Sequence, residues 1–123
     1  MGIKIKEQAF VLHPVTDIAR SRDFYGNLLG LKVAMEFEIE PGVWWIEYDL
    51  AGAALAISNA RPSPGGGGGA VLALEVSDFD GTLAAIRAAK VGITHGPQEH
   101  TQARTFTISS PDGHSIMFHH LKA

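Results

Sequence analysis

The groups in this chain that could do chemistry are imidazoles and carboxylates. It has six histidines, 13 aspartates and glutamates, and no cysteine. Disulfides, thiolate metal sites and a cysteine nucleophile are therefore excluded. Alternation along Ser115–His120 puts Met117 and His119 on one side and His120 on the other, so His119 and His120 cannot chelate one ion from a regular strand. His119 reads either as an acid–base or hydrogen-bonding group in a pocket or as a histidine at an exposed strand end. Glu75 shares parity with Val71, and a carboxylate turned inward there needs a partner. Arg104, at the head of R-T-F-T-I-S, is the natural one, while a solvated glutamate and a surface arginine are the plainer readings. Trp44, Trp45 and Tyr48 form the largest aromatic cluster, able to stack on a flat apolar ligand or to fill a core or dimer contact. Because Trp44 and Trp45 are adjacent, one faces each side of its strand. The other histidines are weaker candidates. His13 has the parity of the helix-facing side, His114 sits in a turn, and His95 and His100 lie in or near a loop with no ligating partners in view.

The elements that must position these residues repeat. Phe10–Val15 reads as a strand, and Asp17 is a candidate N-cap. Ile18, Ser21, Phe24, Tyr25, Leu28 and Leu29 then fall on one helical face, with Gly30 as the C-terminal glycine. Strands follow at Lys32–Ile39, Val43–Leu50 and Ala53–Ser58, separated by Pro41-Gly42 and Ala51-Gly52. The same order returns as a strand at Val71–Val76, a helix at Asp80–Lys90, a short strand around Ile93–His95, and strands at Arg104–Ser109 and Ser115–His120, with Gly92-Ile93 mirroring Gly30-Leu31. Asp17 and Asp78, Phe10 and Val71, and Gly52 and Gly113 are each 61 positions apart. The reading is an α+β chain of two β-α-β-β-β units whose curved mixed sheets meet around a shared cavity. Unit one covers about 9–60 and unit two about 70–121. Arg61–Gly69, with two prolines and five glycines, reads as a flexible linker rather than a phosphate loop, since no Lys-Ser pair and no helix follow it.

Composition limits the rest. A chain of 123 residues fits a single domain, with 46% hydrophobic and 19% charged residues. The formal net charge of -3 and the absence of a basic block argue against nucleic-acid binding. No run of about 20 apolar residues spans a membrane, and M-G-I-K-I-K-E-Q-A-F shows no signal peptide, so a cytoplasmic protein is expected.

Three motifs in order carry a family resemblance. They are D17-I-A-R-S-R-D-F-Y-G-N-L-L-G30-L31, A73-L-E-V-S-D78 and S110-P-D-G-H114. Together with the repeat, the chain resembles the vicinal oxygen chelate superfamily, the glyoxalase and bleomycin-resistance-like proteins. The resemblance implies the glyoxalase/bleomycin resistance fold and, in metal-using members, a divalent ion held from the first and last strands of each unit. Those positions here are Phe10, Ala56, Val71 and Met117, none of which offers an oxygen or imidazole donor. Where the family often has D-G-H-x-x-E, this chain has D112-G-H-S-I-M117.

The resemblance and the residues together point to a cavity without metal or other cofactor that binds a small, partly apolar or aromatic molecule. Its wall would be drawn from Phe10, Leu12, Trp44, Trp45, Tyr48, Ala56, Val71, Glu75, Arg104, Met117 and His119. The alternatives are an enzyme of the superfamily (lyase, isomerase, dioxygenase or thiol transferase) working by metal-free acid–base chemistry at His119 or Glu75, or a metal-dependent one. Two-unit members often build their pocket at a two-fold interface, which makes a homodimer the expected assembly, although one chain could close its own sheets.

Overall fold

A computed structural model describes residues 2–60 and 70–122. The expected linker at 61–69 lies outside them. The chain divides into two compact units, Met1–Pro64 and Gly65–Ala123. Each is a four-stranded mixed sheet with helix packed on one face, an α+β architecture.

In unit 1 the elements are β1 (Val11–Pro14), α1 (Ile18–Arg22) continuing as a π-helical stretch (Asp23–Leu28), β2 (Lys32–Glu40), β3 (Val43–Leu50) and β4 (Ala53–Ser58). The strand order is β1-β4-β3-β2, with β1 parallel to β4 and the remaining pairs antiparallel. Asp17 caps α1 by accepting a hydrogen bond from the Arg20 amide. The helical segment presses Tyr25 into the sheet, where its ring stacks on Tyr48 at 6.1 Å and its hydroxyl lies 2.8 Å from His13 Nδ1. Val15, Ile46, Leu55 and Ile57 complete this buried face. Burial pushes the Tyr48 phenol up, with Arg22 partly offsetting it. Gly30, at φ +72°, closes the helix in the left-handed conformation that suits glycine.

Unit 2 contains β5 (Val71–Glu75), α2 (Phe79–Ala88), β6 (Ile93–Glu99), β7 (Ala103–Ser109) and β8 (Ser115–Leu121), in the strand order β5-β8-β7-β6. Asp78 repeats the role of Asp17, accepting from the Gly81 amide. Phe79 packs edge-on against Phe106, which lies beside Phe118, and Leu83, Ile86, Ile108 and Ile116 fill out the core. The 61-residue repeat holds at the level of register. Leu12 pairs with Ala56, and Ala73 pairs with Met117, 61 positions on in both strands.

Two local expectations change. Gly92 does not take the left-handed position that Gly30 takes; Lys90 does, at φ +60°, with Val91 N donating back to Ile86 O. The segment after Ile93 is not a short strand and loop. It is a seven-residue strand with two register shifts. Gly96 makes this possible: at φ +83°, any Cβ there would fall 2.9 Å from the Thr105 carbonyl oxygen. Among the described residues no helix is long and apolar enough to cross a membrane.

Candidate functional site

Each sheet has a helix-covered face and an opposite face left open by the helices, and strand alternation decides which residues reach the latter; Ala56, Ser58, Thr105 and Thr107 on it are themselves buried. In unit 1, cross-strand pairing lays out its rows. One row runs Leu12, Ala56, Glu47, Met35 across β1, β4, β3 and β2. The next runs Pro14, Ser58, Trp45, Phe37. Trp45 meets Phe10 edge-to-face at 5.3 Å, and its indole N–H donates to Glu47 Oε2 at 2.8 Å. Phe10 and Leu12 remain 40% and 39% exposed, so this aromatic corner is open.

The structure therefore separates the aromatic cluster read from the sequence. Trp45 belongs to the open face, whereas Trp44 lies on the helix face with the Arg22 guanidinium 5.0 Å from its ring. Tyr48 is not a lining residue. It is 1% exposed, beneath Tyr25 in the core. Both follow from parity: Trp44, Ile46 and Tyr48 alternate with Trp45 and Glu47, and Tyr25 sits over the former set. Glu47 was missed by the sequence reading, although the same alternation along V43-W-W-I-E-Y puts it beside Trp45.

In unit 2 the open face carries Val71, Ala73, Glu75, Met117 and His119, with β7 adding Thr105 and Thr107. Glu75 ends β5 directly opposite His119 on β8. His119 Nδ1 lies 2.5 Å from Glu75 Oε1, and the Leu121 amide donates to Glu75 Oε2 at 2.7 Å. An ionised carboxylate only accepts, so the proton of this contact belongs to Nδ1. The Leu121 amide first, and His119 second, hold the Glu75 carboxyl below the usual carboxylate range. Nε2 of His119 has no hydrogen-bond partner among the described residues. Thr105, opposite His119 on β7, lies 3.1 Å from His100 Nε2 through its hydroxyl. His120, of opposite parity, lies 2.7 Å from the Val76 carbonyl oxygen through Nδ1.

Arg104 does not partner Glu75. It lies on the helix face, 4.2 Å over the Phe79 ring, with Nη2 3.2 Å from Asp80 Oδ1. Its Nε is 2.6 Å from Glu99 Oε1, a contact close enough for an ion pair but not aligned as a hydrogen bond. Parity explains the correction, because Arg104 pairs across the sheet with His120, not His119. Asp80 and Glu99 hold its guanidinium even more firmly protonated than usual.

The positions that would ligate a metal do not fit one. Phe10, Ala56 and Val71 have hydrocarbon side chains, and the Met117 thioether is soft. Among the described residues no group of three or more His, Cys, Asp or Glu side chains could hold a metal ion.

This fold, with open faces of alternating strand residues, is that of the glyoxalase-type proteins. Residues 8–118 match the model of the Glyoxalase/Bleomycin resistance protein/Dioxygenase superfamily, and the chain belongs to that family. No curated protein matches the sequence. Solved structures similar to it include the antibiotic-binding protein TnmS3 from Streptomyces sp. CB03234. That likeness has a TM-score of 0.73 at 23% identity, covering 98% of this chain and 100% of that one. A glyoxalase/bleomycin resistance protein from the same organism has a TM-score of 0.69 at 24% identity, covering 91% and 98%. The glyoxalase family protein from Enterococcus faecalis gives 0.72 at 20% identity, covering 93% and 97%. At these identities the likeness speaks for the fold.

Proposed function

We propose that this protein binds a small, planar, partly apolar or aromatic molecule without a metal ion. The observation that carries the reading is the Phe10–Trp45 ring pair on the open face of unit 1, set beside the exposed side chains of Leu12 and Met35. Such a ring corner offers a ligand both a stacking face and an apolar floor. The absence of hard-metal donors at the four expected positions supports metal independence, and the antibiotic-binding relative supports sequestration as the task. The test is calorimetric titration with a panel of planar aromatic compounds, with and without added nickel, zinc, manganese or iron. Binding should be unaffected by metal and weakened at least about tenfold by Trp45→Ala. Binding that requires metal, or that ignores Trp45→Ala, would sink the reading.

A second reading rests on the Glu75–His119 contact. A carboxylate on Nδ1 orients the imidazole and leaves Nε2 without a partner among the described residues, the arrangement of a general base. A suitable probe is 5-nitrobenzisoxazole. Base removal of its C3 proton breaks the ring N–O bond and releases a coloured cyanophenolate, with no cofactor needed. Saturable turnover lost in His119→Ala supports metal-free acid–base chemistry, and a rate equal to that of His119→Ala sets it aside.

The proposed setting is the cytoplasm, and the proposed macromolecular partner is a second copy of the chain. Edge strand β2 supports the latter, because Met35, Phe37 and Ile39 remain 43%, 48% and 49% exposed. Sedimentation of a 13.1 kDa species at micromolar concentration would exclude the dimer.

A further inference from the structure

We propose that the ligand of the unit 1 face is an aromatic cation, and that Glu47 is the residue that recognises its charge. The inference rests on the binding reading above and narrows it to one class of molecule, a flat ring system carrying a fixed positive charge or a protonated amine.

Glu47 stands in a row of apolar side chains. Its direct neighbours on the open face are Ala56 on β4 and Met35 on β2, with Leu12 beyond Ala56. Glu47 is half-buried there, so its carboxylate gives up part of its hydration, a cost that a bound cation would offset. Among the described residues no lysine, arginine or histidine forms an ion pair with it. Lys32, the nearest cation by register, stands opposite Asp49, one row further along the face. The Trp45 indole contact occupies Oε2 and leaves Oε1 without a partner among the described residues.

The second observation is the ring pair. Trp45 and Phe10 meet edge-to-face, so each keeps π surface that is not covered by the other. The face of an indole attracts cations, and most strongly where water is displaced. The indole N–H also fixes the Glu47 carboxylate against the edge of the same ring. A cation settling over Trp45 therefore meets the ring's negative face and the carboxylate together. An anion would meet two repulsive features, and a neutral ring only the apolar floor.

A role for Glu47 confined to bracing Trp45 does not need a charge. A glutamine carbonyl would accept the same indole N–H. Glu47→Gln thus separates brace from charge in one isosteric step.

The experiment titrates wild type and Glu47→Gln by calorimetry with three probes of similar size: 1-methylquinolinium, 1-methyl-2-quinolone and naphthalene-2-carboxylate. Wild type should bind the quinolinium about tenfold more tightly than the neutral quinolone, with the carboxylate weakest. Glu47→Gln should erase that preference while leaving quinolone affinity within about twofold, and an unchanged melting temperature would show that the fold is intact. A cation preference that survives Glu47→Gln, or wild type binding quinolone as well as quinolinium, overturns the inference while the binding reading stands. Failure of all three probes on wild type overturns both.

Discussion

The imidazole–carboxylate contact in unit 2 has a pH signature of its own. The Glu75 carboxyl is held low by the Leu121 amide and by His119, so its folded pKa lies below its unfolded value near 4.5. A group depressed on folding adds stability above the unfolded pKa and loses it as pH falls through the folded one. The melting-temperature gap between wild type and Glu75→Gln should therefore be full at pH 6 and should narrow as pH falls below about 4.5. A gap that stays constant down to pH 3 would show that the carboxylate is not held in solution. In unit 1, Tyr25→Phe removes the hydroxyl beside His13 Nδ1 in a buried setting. Chemical denaturation should show a loss of about 1–2 kcal/mol. Much of this was legible in the sequence. Period-two parity placed His119, Glu75, Met117 and Val71 together and turned His13 and His120 away. It could not tell which of Trp44 and Trp45 faces outward, because parity relates neighbours but does not say which set the helix covers. Arg104 was misplaced for a related reason. Counting from the strand head ignores the pairing that sets it opposite His120.

Elements were legible where backbone chemistry is local. Both N-cap aspartates, the turns at Gly42 and Gly52, and the three-strand return of unit 1 depend on short-range rules and appear as read. Replacing Asp17 or Asp78 by alanine should each cost about 1 kcal/mol of unfolding free energy, measurable by denaturant titration. The misses occur where one feature overrides another. Gly92 looked like the helix terminator, yet α2 ends early enough that Lys90 must take the left-handed turn. Lys90→Gly should therefore raise stability by up to about 1 kcal/mol, and a loss would mean that the lysine side chain contributes more than the strain. Gly96-Pro97 read as a loop because proline and glycine usually interrupt strands. The long β6 survives because it lies at the sheet edge and shifts register around them.

For the whole molecule, the family follows from the order of elements and the repeat, whereas the activity depends on side chains that the fold leaves free to vary. The metal question belongs at this scale, since ligands would have to be gathered from strands far apart in sequence. Elemental analysis after exposure to nickel, zinc, manganese and iron should find well under one tightly held ion per chain. A stoichiometric ion would mean that histidines outside the four expected positions supply the site. The repeat at constant register has a further consequence. Along β8, Ile116 and Phe118 answer to the helix, and Met117 and His119 answer to whatever meets the open face. Selection can thus rewrite every second letter without disturbing the letters between. A library of all substitutions, sorted once for cellular abundance and once for ligand capture, should read as two interleaved scripts, one nearly invariant and one open to revision. A glyoxalase-type scaffold with that property can change its trade without relearning how to fold.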